Sequence, residues 1–209
     1  DQDAVFCKYL TDHGVIASVG HSDAIYDDLK PAMKNGLNLV THLYSCTSTI
    51  TRDHGFRRLG VIETAYLTDG MFVEIICDGK HLPPELIRMI LKCKGTDKVA
   101  LITDSMEIAG TDAKIRSLAG RQFIVEDGVC KLSDRSAFAG SVATADMLIR
   151  TLVKEIDCPV PLAVKMLTKV PAEILGVEKG ALAAGKDADI VVFDDDINVQ
   201  SIFLAGAKI

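Results

Sequence analysis

The chain has 209 residues, of which 48% are hydrophobic, and carries a formal net charge of −6. That length accommodates one large domain, or one medium domain with an appendage, and the apolar content can fill a sizeable core. The charges form no basic cluster, which argues against a nucleic-acid partner, and no uncharged apolar run reaches the roughly 18 residues of a membrane span, so a soluble protein is expected.

Six cysteines, at positions 7, 46, 77, 93, 130 and 158, form no C-x-x-C pair. Cys7, Cys77, Cys93 and Cys130 lie in apolar-patterned segments, so buried free thiols in a reducing cytoplasm fit better than a disulfide framework or a zinc ribbon. The chain opens "DQDAVFCKYL" without a methionine, which suggests a piece of something longer.

In chain order, residues 3–13 place Ala4, Val5, Cys7 and Leu10 at helical spacing, with Gly14 as a C-cap candidate. An apolar strand is expected at 15–19, then a helix from Ser22 as cap to Asn35, with Pro31 inside it and Gly36 ending it. A strand over 37–41 leads into a long polar loop, 43–60, of the length that is usually functional or disordered. A helix over 61–69 and a strand over 71–77 follow. Pro83 and Pro84 then start the helix "ELIRMILKCK", which Gly95 closes. After a strand at 98–103, residues 111–135 turn to short strands, with Asp127-Gly128 as a hairpin signal. Helices are expected at 144–157 and 162–170, and a β-structured tail with turns at Gly180, Gly185 and Gly206.

Strands alternating with helices predict a parallel sheet with crossover helices, whose chemistry collects at the C-terminal strand ends. Four apolar runs deliver polar groups there. Val15–Val19 leads into Gly20 and His21; 37–41 into His42; 72–77 into Asp78, Gly79 and His81; 99–103 into Asp104. A single such histidine is more often a satisfied core or loop residue than a ligand. The repetition is the signal. Asp104 alone would serve equally as a turn or cap residue, and "DGKH" as a plain turn with His81 exposed.

The segments "GHSDA" (20–24), "THLYS" (41–45), "DGKH" (78–81), "ITDS" (102–105), "FAGS" (138–141) and "GALAAGKDADIVVFD" (180–194) resemble, in order and approximate spacing, the N-acetylglucosamine-6-phosphate deacetylases of the amidohydrolase superfamily. The resemblance covers nearly the whole chain. It implies an α/β fold in which these strands are strands 5–8 of a (β/α)8 TIM-like barrel, so that residues 1–176 are the C-terminal half of a metal-dependent amidohydrolase barrel. Residues 177–209 would be the C-terminal segment of a small β-sandwich domain. The first barrel half would lie outside this sequence.

By the same resemblance, His21 and His42 are ligands of a divalent metal, Zn or Fe, for which imidazole is suited. The family's third ligand, a glutamate on an earlier strand, is absent. Asp104 resembles the catalytic acid and base, taking a proton from the attacking water and protonating the departing amine. His81 resembles a substrate-binding histidine, and Phe138, Ala139 and Gly140 a loop whose backbone touches the sugar. Asp78 is read as structural. Ser45-Cys46 stands where the family most often has Asn-Ala, a change compatible with an altered sugar preference. Arg57 occupies the R-x-x-G position before Gly60 and is the candidate phosphate ligand, within a loop that also offers Arg52 and Arg58.

The implied activity is removal of the acetyl group from N-acetylglucosamine 6-phosphate in the cytoplasm, as part of amino-sugar breakdown. A small-molecule amino-sugar phosphate would be its partner, without nucleic acid or membrane. The complete protein would be a homodimer if the arginine crosses to a second subunit. Two alternatives remain: a deacetylase of another N-acetyl hexosamine phosphate, or a non-catalytic fragment.

Overall fold

A computed structural model of the chain describes residues 2–118 and 120–209. After a 3-10 turn at Gln2–Ala4, the first half runs α1 (Val5–Asp12), β1 (Ser18–Val19), α2 (Tyr26–Lys34), β2 (Leu39–Val40), β3 (Thr51–Asp53), β4 (Phe56–Arg58), α3 (Val61–Leu67), β5 (Phe72–Ile76), α4 (Pro84–Lys94) and β6 (Val99–Ile102). Strands β1, β2, β5 and β6 form one parallel four-stranded sheet in that order. Every connection within it passes through a helix, as the alternating pattern predicts.

The two sheet faces follow the two-residue period of the strands. Val40, Val73, Ile75, Val99 and Leu101 join the main core, with Ile87 and Ile90 of α4. Leu39, Phe72 and Ala100 point the other way into a smaller cluster with Val170. Each fully buried Ile or Leu contributes roughly 1.5–3 kcal/mol of transfer free energy.

The second half contains β7 (Ile115–Leu118), β8 (Arg121–Glu126), β9 (Val129–Leu132) and β10 (Phe138–Gly140), an antiparallel sheet in the order β10-β9-β8-β7. Helices α5 (Ala145–Ile156), α6 (Val160–Leu167) and α7 (Lys169–Leu175) follow, and then β11 (Ile190–Phe193), β12 (Val199–Leu204) and β13 (Ala207–Lys208), again antiparallel. This tail is pinned to α5: Arg150 donates to the carbonyls of Asp196 and Ile197, and the Ile197 side chain enters the main core.

Several expectations are corrected. The strands at 15–19 and 37–41 shrink to two residues each. The second helix begins at Tyr26, because the Asp28 carboxylate accepts the Ile25 N–H, while Ser22 turns inward to accept the N–H of Ala24. The loop 43–60 contains the hairpin β3–β4, whose turn places His54 and Gly55 at positive φ. A Cβ on Gly60 would lie 2.5 Å from the Ser48 carbonyl, so the hairpin base closes on a glycine. The last predicted helix is two, broken at Thr168, where Pro171 supplies no N–H to continue the ladder. Asp127 and Gly128 both adopt positive φ and join β8 to β9, as their dipeptide predicts. None of the six cysteines is disulfide-bonded among the described residues, but Cys93, expected in the core, is exposed on α4.

Candidate functional site

Four chain segments converge at the C-terminal rim of the parallel sheet. His21 follows β1 and His42 follows β2, which are paired in register, Val19 opposite Val40. Their Nε2 atoms consequently stand 3.0 Å apart. Both residues adopt left-handed backbone, φ 46° and 31°, and Asp104 after β6 does the same at 48°. Such residues cost about 1–3 kcal/mol each and gather where a side chain must be aimed. Each of these three is the second residue beyond its strand.

His42 is buried at 7% exposure, and its Nδ1 has no hydrogen-bond partner among the described residues. The loop that carries it is tied down. The N–H of Leu43 donates to the Glu74 carbonyl, the N–H of Tyr44 to Thr47 Oγ1, and the hydroxyl groups of Tyr44 and Tyr66 meet at 2.9 Å. Cys46 is exposed and lines a pocket with His21, Ser22, Asp23, Thr47 and Ser48. Ser45 sits in the intervening turn, its N–H donating to the His42 carbonyl.

The donor chemistry of the histidine pair fits a metal. Ligands at about 2.0–2.1 Å in tetrahedral array stand roughly 3.3 Å from each other, so two imidazole nitrogens this close can share one ion. No cluster of three or more His, Cys, Asp or Glu side chains suited to a metal occurs among the described residues.

Beyond β5, Asp78 and His81 form a buried pair. Asp78 Oδ2 lies 2.8 Å from His81 Nδ1, and Oδ1 accepts the N–H groups of Lys80 and His81. Burial pushes the Asp78 carboxyl up, but the His81 ring and those N–H groups outweigh it and hold the carboxyl below its ordinary range. With Nδ1 engaged, His81 Nε2 has no hydrogen-bond partner among the described residues, and its ring meets that of Phe138 edge-on with centroids 5.1 Å apart. Asp78 is thus the partner of a site histidine as well as a turn residue. The i, i+3 spacing in "DGKH" was the signal available for that role.

Glu74 was missed by the sequence reading. It is the only charged side chain of β5 and lines a cavity of about 330 Å³ with Leu39, Ala100 and Ile102. Desolvation raises its pKa, the nearby Asp104 charge adds to the rise, and His42 opposes it through backbone and charge. A lone glutamate inside "FVEII" was the available clue.

Gly140 serves packing. Its φ is 125°, and a Cβ there would stand 3.0 Å from Met106 Cγ and 3.1 Å from the Asp104 carbonyl, so glycine lets the 138–140 strand close on the Asp104 loop. Ala139 is half-buried beside it. Arg57 lies elsewhere: it is exposed on the hairpin, donates to the Gly55 carbonyl, and lines a small cavity with Ile25, Tyr26, Asp27 and Arg58. The structure therefore brings His21 to His42 and His81 to Phe138, and leaves Arg57 in a separate pocket.

Such an arrangement defines an α/β protein whose candidate site is built from loops after parallel strands, the usual ligand position in this architecture. The sequence pattern of the Amidohydrolase family matches residues 3–208, and the chain belongs to that family. It is 33% identical over 201 residues to an N-acetylglucosamine-6-phosphate deacetylase of Bacillus subtilis, covering 95% of this chain and 50% of the relative. It is 32% identical over 201 residues to an N-acetylgalactosamine-6-phosphate deacetylase of Shewanella sp., with the same coverage. Among solved structures, a variant of the N-acetyl-D-glucosamine-6-phosphate deacetylase of Mycobacterium smegmatis, in complex with N-acetyl-D-glucosamine-6-phosphate, superimposes with a TM-score of 0.90 at 31% identity. That match covers 97% of this chain and 53% of the other. The chain spans about half the length of the curated relatives it matches.

Proposed function

We propose that this chain supplies the histidine ligands and the proton-transferring carboxylate of a metal-dependent deacetylase. Its substrate would be N-acetylglucosamine 6-phosphate, hydrolysed to glucosamine 6-phosphate and acetate. The observation that carries this reading is the 3.0 Å approach of His21 and His42 at the strand ends of an amidohydrolase chain. Amidohydrolases typically depend on a divalent metal. Zinc or ferrous iron held by His21 and His42 would polarise the acetamide carbonyl and acidify the attacking water.

Asp104 takes the proton of that water as its oxygen bonds to the carbonyl carbon. It then delivers the proton to the nitrogen as the C–N bond breaks, releasing acetate and the free amine. His81, its Nδ1 held by Asp78, presents Nε2 to the sugar. Phe138, Ala139 and Gly140 flank it, and Ser45 and Cys46 line the sugar side near His21. Arg57 serves the phosphate as a fork of donors, in a homodimer where the hairpin reaches a second subunit. Residues 1–176 are read as the second half of a (β/α)8 barrel and 177–209 as part of a β-sandwich, in a cytoplasmic enzyme of amino-sugar breakdown. No described helix is long and apolar enough to cross a membrane.

A second reading, the galacto isomer as substrate, is favoured by Ser45-Cys46 and by the Shewanella relative. Acetate release from the two hexosamine phosphates, with zinc or ferrous iron, separates them. The assay takes the 209-residue chain and, where it forms part of a longer protein, that protein. A higher kcat/KM on the gluco phosphate supports the first reading and on the galacto phosphate the second. A metal-loaded longer protein inactive on both is the non-catalytic outcome.

A further inference from the structure

We infer that Ser141 is a positioning residue that locks the left-handed turn of Asp104, joining the loop after β6 to the strand that carries Phe138 and Gly140. Ser141 is fully buried, at 0% exposure, although its hydroxyl and both backbone groups are polar. Every one of them is spent on the Asp104 segment or on the entry to α5. Its N–H donates to the Asp104 carbonyl at 2.9 Å, and its carbonyl accepts the Met106 N–H at 3.0 Å, which makes a parallel bridge between Ser105 and Ser141. The Ser141 hydroxyl donates to the Thr103 carbonyl, just before Asp104, and accepts the Ala143 N–H at 3.0 Å. Ser105, just after Asp104, donates its hydroxyl to the Ala143 carbonyl. The two hydroxyl oxygens stand 3.2 Å apart with their single protons already committed to carbonyls.

Asp104 is thus flanked on both sides by residues bonded into 141–143, and its own carbonyl is held between them. This matters because its φ of 48° is a conformation that an unrestrained L-residue rarely keeps. The main-chain bridge alone fixes Asp104 O and Met106 N; the hydroxyl bond to Thr103 fixes the residue before the turn. Without that hydroxyl, Thr103 can rotate and shift the Asp104 side chain that follows it. Close approach of the two segments also requires Gly140, whose missing Cβ leaves room for Met106 and the Asp104 carbonyl. The lock is a property of the fold, whereas its consequence for turnover rests on the deacetylase reading.

The test compares Ser141→Ala with Thr64→Val, which removes another fully buried hydroxyl, bonded to the carbonyl of Gly60, the residue before α3, and making no bond to 103–106 or 141–143 among the described residues. Amide hydrogen exchange of the 209-residue chain is read first. Ser141→Ala is expected to speed exchange at least tenfold at Ser141, Ala143 and Met106 while α4 stays protected, and Thr64→Val is expected to leave those amides unchanged. Equal protection of the three amides in Ser141→Ala and the parent overturns the lock, whatever the activity. In protein with deacetylase activity, Ser141→Ala should lower kcat at least tenfold with KM within about twofold, and Thr64→Val should change neither. An unchanged kcat, or a loss in KM alone, overturns the positioning role. Absence of activity in every form would count against the deacetylase reading, and the exchange result would still decide the lock.

Discussion

The rim of the parallel sheet and the β3–β4 hairpin carry the two halves of the proposed site, and they are built in opposite ways. At the rim His21 and Asp104 are exposed, but His42, Asp78 and Ser141 are buried, and the Asp78 and Ser141 side chains are each held by two or more hydrogen bonds. On the hairpin every residue from Thr51 to Arg58 is exposed, and Phe56 is 74% exposed. The rim can hold a strained turn because the core behind it over-determines each backbone. The side-chain hydrogen bonds of Arg57 and Arg58 stay within the hairpin, Arg57 to the Gly55 carbonyl and Arg58 to Asp53, so these side chains are placed by local pairing. Chemistry that needs sub-ångström placement belongs to the first region, and recognition of a charged group at longer reach suits the second.

Predictions that break or sharpen this contrast fall in order of size. The double change His21→Ala, His42→Ala should abolish binding of zinc or ferrous iron, read by equilibrium dialysis, and reduce acetate release to background. Retention of stoichiometric metal would place the ion elsewhere. Removing the packing under the rim comes next: Ile75→Ala, at a fully buried position of β5, should cost about 2–5 kcal/mol in denaturant unfolding. A cost below about 1 kcal/mol would mean that the sheet face is not the core support described.

Asp78→Asn should cost about 1.5–3 kcal/mol, since hydrogen bonds to a buried charge are lost. The pH dependence follows from the depressed carboxyl. Its stabilisation is fully present above the ordinary value of 3.8 and is lost as pH falls through the lower folded-state value. The parent and Asp78→Asn stabilities should therefore converge only in that acid range. A constant gap from pH 7 down to pH 2 would contradict the assignment. Arg57→Ala should change stability by no more than about 0.5 kcal/mol, as expected for an exposed residue. In active protein it should raise KM for the phosphorylated sugar by about tenfold if that arginine meets the phosphate.

Much of the rim was legible in the sequence because an apolar run ending in His or Asp reads as a strand with a polar group just beyond its tip. His21, His42 and Asp104 all follow that rule. Asp78 was read as structural because its turn role is local, whereas its bond to His81 depends on the three-residue turn closing. Glu74 was hidden inside an apolar strand, where alternation assigns a face and says nothing about what waits beneath it. Ser141 was visible only as the end of "FAGS", since its partners at 103–106 are more than 30 positions away. The hairpin went unread for the opposite reason. "TRDHGFRR" has no apolar alternation, and its His54-Gly55 turn does the work that Asp127-Gly128 does in β8–β9.

The central claim is that the rim carries out hydrolysis with Asp104 as its proton-transfer group. The most direct test is acetate release from N-acetylglucosamine 6-phosphate by active, metal-loaded protein beside Asp104→Asn, with metal content measured on the same samples. The account predicts unchanged metal content and a loss of 10²–10⁴-fold in kcat. Turnover by Asp104→Asn within a few-fold of the parent would contradict it.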